Sequence, residues 1–132
     1  MEMLAPTALA LETVIALEGE GPAKDVLVWG QFKSADVFAL GHSGPDKQIK
    51  DILYYSAPSQ DGGQEDLIPV FTRIEFLQQA VGQNPQWANW EILSVNGGEL
   101  LDAMDASGIV INPWSRLAYR VPGPMHKLSA AV

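Results

Sequence analysis

Two histidines, sixteen carboxylates and no cysteine are the stock from which this 132-residue chain could build a reactive centre. His42 stands before Ser43-Gly44-Pro45, a loop sequence, and His126 falls in the C-terminal tail. Neither belongs to an H-x-x-x-H pair or to any zinc-ligand spacing, so no metal is expected. The absence of cysteine removes disulfides, thiolate catalysis and zinc–sulfur sites together. There is no G-x-S-x-G elbow, and two poorly placed histidines offer no base for a serine triad. Asp102 and Asp105 lie three apart on a predicted helix and read as a solvated face. Glu65 and Asp66 sit in a predicted loop. The run Asp61-Gly62-Gly63-Gln64-Glu65-Asp66 has the composition of a calcium loop but misses the EF-hand spacing. No catalytic residue and no cofactor are expected from this inventory.

Two features remain. Asn96-Gly97-Gly98 follows a predicted strand and opens a predicted helix, where free N–H groups could meet an amino acid or another anion. The competing reading is a tight turn in which Asn96 and Glu99 cap the helix, because G-x-G-x-x-G and P-loop context are absent. The second feature is the tryptophans: Trp29, Trp87, Trp90 and Trp114. Trp29 has helical company and reads as core. Trp87 and Trp90 flank a loop-to-strand boundary. Trp114 sits in a tight turn near Arg116, where a ring is hard to bury. Trp and Arg are enriched at binding hot spots. Trp114, Arg116, Trp90 and Tyr119 are therefore the candidate partner-binding residues, with core packing of the rings as the alternative.

The elements that must position these residues follow from periodicity and punctuation. Thr7 is placed to cap a first helix with Ala8, Leu11, Val14 and Ile15 on one face and Gly19 at its end. Pro22 opens a second helix with Val26, Trp29 and Lys33 on one stripe, weakened by Gly30. Residues 36–40 read as a central strand, 42–47 as a loop and 52–55 as another strand. The segment 58–66 reads as a mobile loop. A strand over 67–71 runs into a Thr72-x-x-Glu75 capping box and a helix burying Ile74, Leu77 and Val81. Asn84-Pro85 breaks the chain before a strand over 90–95. The next helix carries Leu100, Leu101 and Met104 and ends at Gly108. The last strand, 109–111, turns at Asn112-Pro113-Trp114-Ser115. Beyond it Leu117, Tyr119 and Val121 alternate with Arg116, Ala118 and Arg120.

The totals bound the class. Hydrophobic residues make up 47% and charged ones 18%, as in folded domains, and the net charge is -8. Such acidity disfavours nucleic acid and anionic membrane surfaces as partners. The start, Met1-Glu2-Met3-Leu4-Ala5-Pro6, lacks a basic n-region, and no stretch approaches the length of a membrane span. A cytoplasmic bacterial protein is the expectation.

Pro69-Val70-Phe71-Thr72, Gly98-Glu99-Leu100-Leu101 and Ile109-Val110-Ile111-Asn112-Pro113, in that order, resemble the N-terminal domain of the SseB protein family, named for enhanced serine sensitivity. The resemblance spans roughly residues 8 to 121 and is clearest from 67 to 121. It implies a cytoplasmic bacterial protein with no catalytic residues to transfer, and leaves aside the second domain that many relatives carry. Together these readings predict one α+β domain over residues 1–132, with its core at about 8–121 and the tail 122–132 poorly anchored. The sheet is expected to be mixed or mainly antiparallel, of about five to six strands with helices packed against it. The expected function is a non-enzymatic module binding a protein partner or itself, a homodimer being one form of the latter. The alternative is a small-molecule sensor or enzyme built on Asn96-Gly97-Gly98.

Overall fold

The computed structural model describes residues 6–17, 22–46, 49–58, 62–103 and 108–121. Two helices lead, α1 (Pro6–Ala16) and α2 (Pro22–Ser34). Strands β1 (Asp36–Ser43), β2 (Ile49–Ile52), β3 (Tyr55–Pro58) and β4 (Gln64–Phe71) follow. Then come α3 (Ile74–Gln83), a 3-10 turn (Pro85–Asn89), β5 (Glu91–Asn96), α4 (Gly97–Ala103), β6 (Gly108–Ile111) and β7 (Tyr119–Val121). Among the described residues this is an α+β fold with four helices packed on a mixed seven-stranded sheet, somewhat more strands than the sequence suggests.

β1 organises the sheet. Phe38 stands opposite both Ser94 of β5 and Phe71 of β4, and Gly41 opposite both Glu91 and Ile52. β5 therefore runs along one edge of β1, while β4 and β2 share the other. β4 in turn holds β3 antiparallel and β6 parallel, with Leu67 facing both Tyr55 and Gly108. β7 closes the order antiparallel to β6. A parallel pair needs a long crossover, and here α3, the 3-10 turn, β5 and α4 supply it.

Because side chains alternate along a strand, β1 feeds two cores. Val37 and Ala39 join Leu11, Ile15, Val28, Trp29, Phe32 and Leu100 beneath α1, α2 and α4. Leu40 joins Phe71, Phe76, Leu77, Ala80 and Trp87 beneath α3 and the 3-10 turn. Helices thus cover both faces, which is why residues 37–41 of β1 and 67–71 of β4 are apolar throughout.

Several local expectations are corrected. Thr7 lies inside α1. Its hydroxyl accepts the Asp36 N–H at 2.9 Å and donates to the Asp36 carboxylate at 3.2 Å, so it ties α1 to β1 rather than capping a helix. On α2 the buried residues are Val28, Trp29 and Phe32, while Val26 is 58% exposed and Lys33 is exposed. The apolar run Val26-Leu27-Val28-Trp29 hides the period that would have separated the faces. His42 and Ser43 belong to β1, not to a loop, because β2 pairs with them. The strand expected over 52–55 is split: β2 follows β1, β3 follows β4, and the chain crosses between them at Leu53 and Tyr54.

β4 begins at Gln64, so the acidic run is partly strand, with Glu65 ion-paired to Arg120 at 2.7 Å and Asp66 bonded to Ser56 at 3.0 Å. Arg73 is the N-cap residue of α3, without a side-chain capping bond, and the Thr72 N–H that a Thr72–Glu75 box would use donates to Asn112 instead. α3 buries Phe76, Leu77 and Ala80, with Ile74 and Val81 only partly covered. Gly108 opens β6 instead of ending a helix. Gly19, Met104, residues 59–61 of the expected loop and the tail 122–132 lie outside the described residues.

Phe32 is fully buried between the helices and the sheet. Phe32→Ala should lower unfolding stability by about 3–5 kcal/mol. Urea unfolding followed by circular dichroism reads this directly, and a loss below about 1 kcal/mol would contradict the packing described.

Candidate functional site

β4 and β6 run side by side in the same direction, with Val70 opposite Ile111. Their next residues, Thr72 and Asn112, therefore meet at the carboxyl ends of the pair. Asn112 takes the left-handed backbone (φ 52°) and turns the chain away from the sheet. Its N–H donates to the Val70 carbonyl at 2.7 Å. Its side-chain oxygen accepts the Thr72 N–H at 2.9 Å, and its amide nitrogen donates to the Thr72 hydroxyl at 3.0 Å.

The hydroxyl passes its own proton onward, donating to Glu12 Oε2 at 2.6 Å. Arg73 grips the same carboxylate with two bonds, Nε to Oε2 at 2.9 Å and Nη2 to Oε1 at 2.8 Å. Glu12, Thr72 and Asn112 are 4%, 1% and 0% exposed, so this network lies in the interior. Burial alone would raise the Glu12 pKa. The bonds from Arg73 and Thr72, with the charges of Arg73 and Arg116, outweigh it and set the pKa below the ordinary value of 4.5. Glu12 is thus held as the anion, the reverse of what a general acid requires.

The turn after Asn112 presents the aromatic residues. Trp114 also has positive φ (65°), and its carbonyl accepts a bond from Gln79 Nε2 of α3 at 2.9 Å. Its ring packs on Tyr55 (centroids 6.1 Å, planes 24° apart) and on Trp87 (5.6 Å, 56°). Tyr55 and Trp87 contact each other at 5.7 Å. Trp87 is buried, whereas Trp114 keeps 47% of its surface exposed. The exposed Arg116 lays its guanidinium over Phe76 at 5.6 Å, and Arg73 lies over the same ring at 5.8 Å. Burial raises the Tyr55 pKa, with the Arg120 charge opposing in part, so its hydroxyl stays neutral at physiological pH.

The four candidate partner-binding residues do not form one patch. Trp114 and Arg116 share the turn after β6. Trp90 is half-buried and stacks on His42 of β1 (4.7 Å, 28°). Tyr119 packs against the core under α1 and α2, with its hydroxyl bonded to Asp25 and Lys24 over its ring.

The Asn96-Gly97-Gly98 start of α4 has its donors engaged. Asn96 Oδ1 accepts from the N–H groups of Gly98 at 3.0 Å and Glu99 at 3.4 Å, and the Gly97 N–H donates to the Ala35 carbonyl at 2.8 Å. A Cβ on Gly97 would stand 2.0 Å from the Phe32 carbonyl oxygen, and one on Gly98 2.8 Å from that of Lys33. The glycines let α4 abut the end of α2; capping is the arrangement seen, and the N–H groups of Gly97 and Gly98 are both engaged. Among the described residues no group of three or more histidines and carboxylates is placed to hold a metal ion, and no helix is long and apolar enough to cross a membrane. No protein-family model, curated protein or solved structure matches this chain.

Sequence reasoning missed Glu12, Arg73 and Asn112. One signal was present: Glu12 falls between Leu11 and Ile15 on the face of α1 assigned to the core. A lone charge at such a position calls for a cation partner elsewhere in the chain.

Glu12→Gln should cost about 2–3 kcal/mol at pH 7, below the full value for breaking a buried pair because Arg73 is partly exposed. Since the folded pKa of Glu12 is lowered, its contribution is present above about pH 4.5 and fades as pH falls through the folded value. The stability gap between wild type and variant should narrow in urea titrations at pH 3 to 3.5. A gap unchanged by pH would refute the charged pairing.

Proposed function

We propose that this chain is a non-enzymatic interaction module that engages a protein partner through the turn carrying Trp114 and Arg116. The carrying observation is Trp114 itself. A bulky residue in the left-handed region costs on the order of 1–2 kcal/mol, and such conformations persist where the surroundings over-determine them. Here Gln79, Tyr55 and Trp87 hold the residue in place while half the indole faces solvent. A rigid, half-exposed indole beside a cation matches the composition of binding hot spots. The favoured partner is a protein segment that offers an apolar side chain next to a carboxylate. Arg116 supplies local positive charge in a chain of net charge -8. Trp90, packed against the cluster that holds Trp87, is a secondary contact, and Tyr119 serves the interior.

The resemblance of the motif order to the SseB family, which has no catalytic residues to transfer, supports the same reading, as does the anionic state of Glu12. A cytoplasmic setting belongs to this proposal and accords with the lack of cysteine. The alternative, a sensor for an amino acid or another anion at Asn96-Gly97-Gly98, would have to compete with the bonds that the Gly97 and Gly98 N–H groups already make.

Trp114→Ala combined with Arg116→Ala should abolish capture of the partner identified with the wild-type bait in host extract, by at least about tenfold in recovered mass-spectrometric signal. Its circular dichroism spectrum should be unchanged. Equal recovery by the two baits would sink the proposal.

A further inference from the structure

Among the described residues β2, β3, β5 and β7 each pair on one side only. Three of these open edges are guarded. β2 carries Lys50, β3 carries Pro58 and the short β7 carries Arg120. Such residues on an edge strand hinder the addition of another strand. β5 is the exception. It runs beside β1 over Glu91–Asn96 with no base, no proline and no shift of register, whereas the β1–β2 register shifts between His42 and Ser43.

The ladder tells which backbone groups of β5 are open. Gly97 continues the β5 register, and its N–H donates to the Ala35 carbonyl at 2.8 Å. Such bonds alternate along an antiparallel pair, so Val95, Leu93 and Glu91 also face β1. Ile92, Ser94 and Asn96 therefore direct their N–H groups away from it, and Ile92 and Ser94 their carbonyls too. The parity agrees across β1: Leu40, opposite Ile92, turns its carbonyl to the other side and accepts from Leu53 at 2.8 Å. Among the described residues none of the outward groups of β5 meets another strand. The side chains beside this edge are apolar on both faces of the sheet. Trp90 and Ile92 lie on the face of Leu40, with Ile92 49% exposed. Leu93 and Val95 lie on the other face, over the first core.

We propose that the outer edge of β5 receives an extended, basic segment of a partner protein as an added strand. Main-chain bonds give such a strand its affinity, and side chains select the partner. Charge selects this occupant. Residues 74–115, which contain β5, hold no lysine or arginine but five carboxylates, Glu75, Glu91, Glu99, Asp102 and Asp105. Glu91 opens the edge, its carboxylate held by the Ser43 N–H at 3.3 Å and hydroxyl at 3.0 Å. His42, near that end, is already paired with Asp51 at 3.5 Å. Glu99 is exposed just past the other end, where Lys33 of α2 comes near with its carbonyl beside Gly98. The demand for a cation is therefore greatest at Glu91. A second copy of the chain would bring the same carboxylates to the edge, and like charges oppose such pairing.

Two end-blocked heptapeptides test this. One alternates valine and threonine between terminal lysines; the other carries terminal glutamates instead. At about 1 mM the lysine peptide should slow amide exchange of Ile92, Ser94 and Asn96 at least about tenfold, with Leu93 and Val95 unchanged. The glutamate peptide should bind at least about tenfold more weakly, and the difference should shrink as salt rises from about 0.05 M to about 0.5 M. Ser94→Pro removes an outward N–H and no bond to β1, so protection should vanish while the circular dichroism spectrum is retained. Two lysine peptides, N-methylated at the valines or at the threonines, make the same test on the unaltered protein. One of them should lose binding, because only one set of N–H groups faces β5. Trp114→Ala with Arg116→Ala should bind the lysine peptide as wild type, which separates this edge from the partner-binding turn. The proposal is overturned if none of the three amides is protected, if the glutamate peptide binds as well, or if both methylated peptides bind unchanged. Protection of the same amides in concentrated protein without peptide would also overturn it, since a second copy would then be the occupant.

Discussion

Glu12 is a carboxylate taken out of water on the inner face of an otherwise uncharged helix, and three separate parts of the chain exist in their observed places because of it. α1 delivers the charge. The β4–α3 junction supplies Arg73 and the Thr72 hydroxyl. The turn after β6 supplies Asn112, which fixes Thr72 from the other side. A buried carboxylate without such partners would be costly enough to neutralise or to unfold its surroundings. With them it specifies one docking position for α1 and one geometry for the ends of the two parallel strands. Hydrophobic burial supplies most of the stabilisation of the two cores, but apolar contacts alone are tolerant of sliding. The ion pair and its hydrogen bonds are not.

The aromatic turn depends on this lock. Asn112 and Trp114 both occupy left-handed backbone, and the Asn112 side chain is bonded to Thr72 while its N–H is bonded to Val70. Arg73, which holds Glu12, shares the Phe76 ring with Arg116. The interior network and the exposed indole are therefore neighbours in one continuous arrangement. On the other face of the sheet α1 and α2 cover a separate core, with Leu9, Leu17, Val26 and Leu27 exposed on their outer side.

Much of the architecture was legible in the sequence. The order of strands and helices from residue 67 onward, the break at Asn84-Pro85, the Asn96 cap and the turn at 112–115 all follow from punctuation and period. Other features were not. The capping pattern Thr72-x-x-Glu75 matched a local rule, yet the hydroxyl is claimed by Glu12, sixty residues away in sequence. The faces of α2 were misread because four consecutive apolar residues carry no period. The strand expected over 52–55 is two strands, since β1 and β4 diverge and the chain must follow each in turn. In each case a distant contact overrode the local signal. The site suffered most: Trp114 and Arg116 were visible as residue types, but the network behind them joins residues 12, 72, 73 and 112, which no spacing rule connects.

The register of β1 has a consequence for how the molecule comes into being. Its full-length neighbour, β5, pairs residues 36–41 with residues 91–96, while β4 meets it only at Phe38 and Ala39. Loop-closure entropy must be met before such distant pairings are rewarded, which slows folding. During synthesis the organising strand emerges early and waits, with one hydrogen-bonding edge open, until most of the polypeptide has left the ribosome. The leading helices, made just before it, are the first cover available to Val37 and Ala39 in that interval.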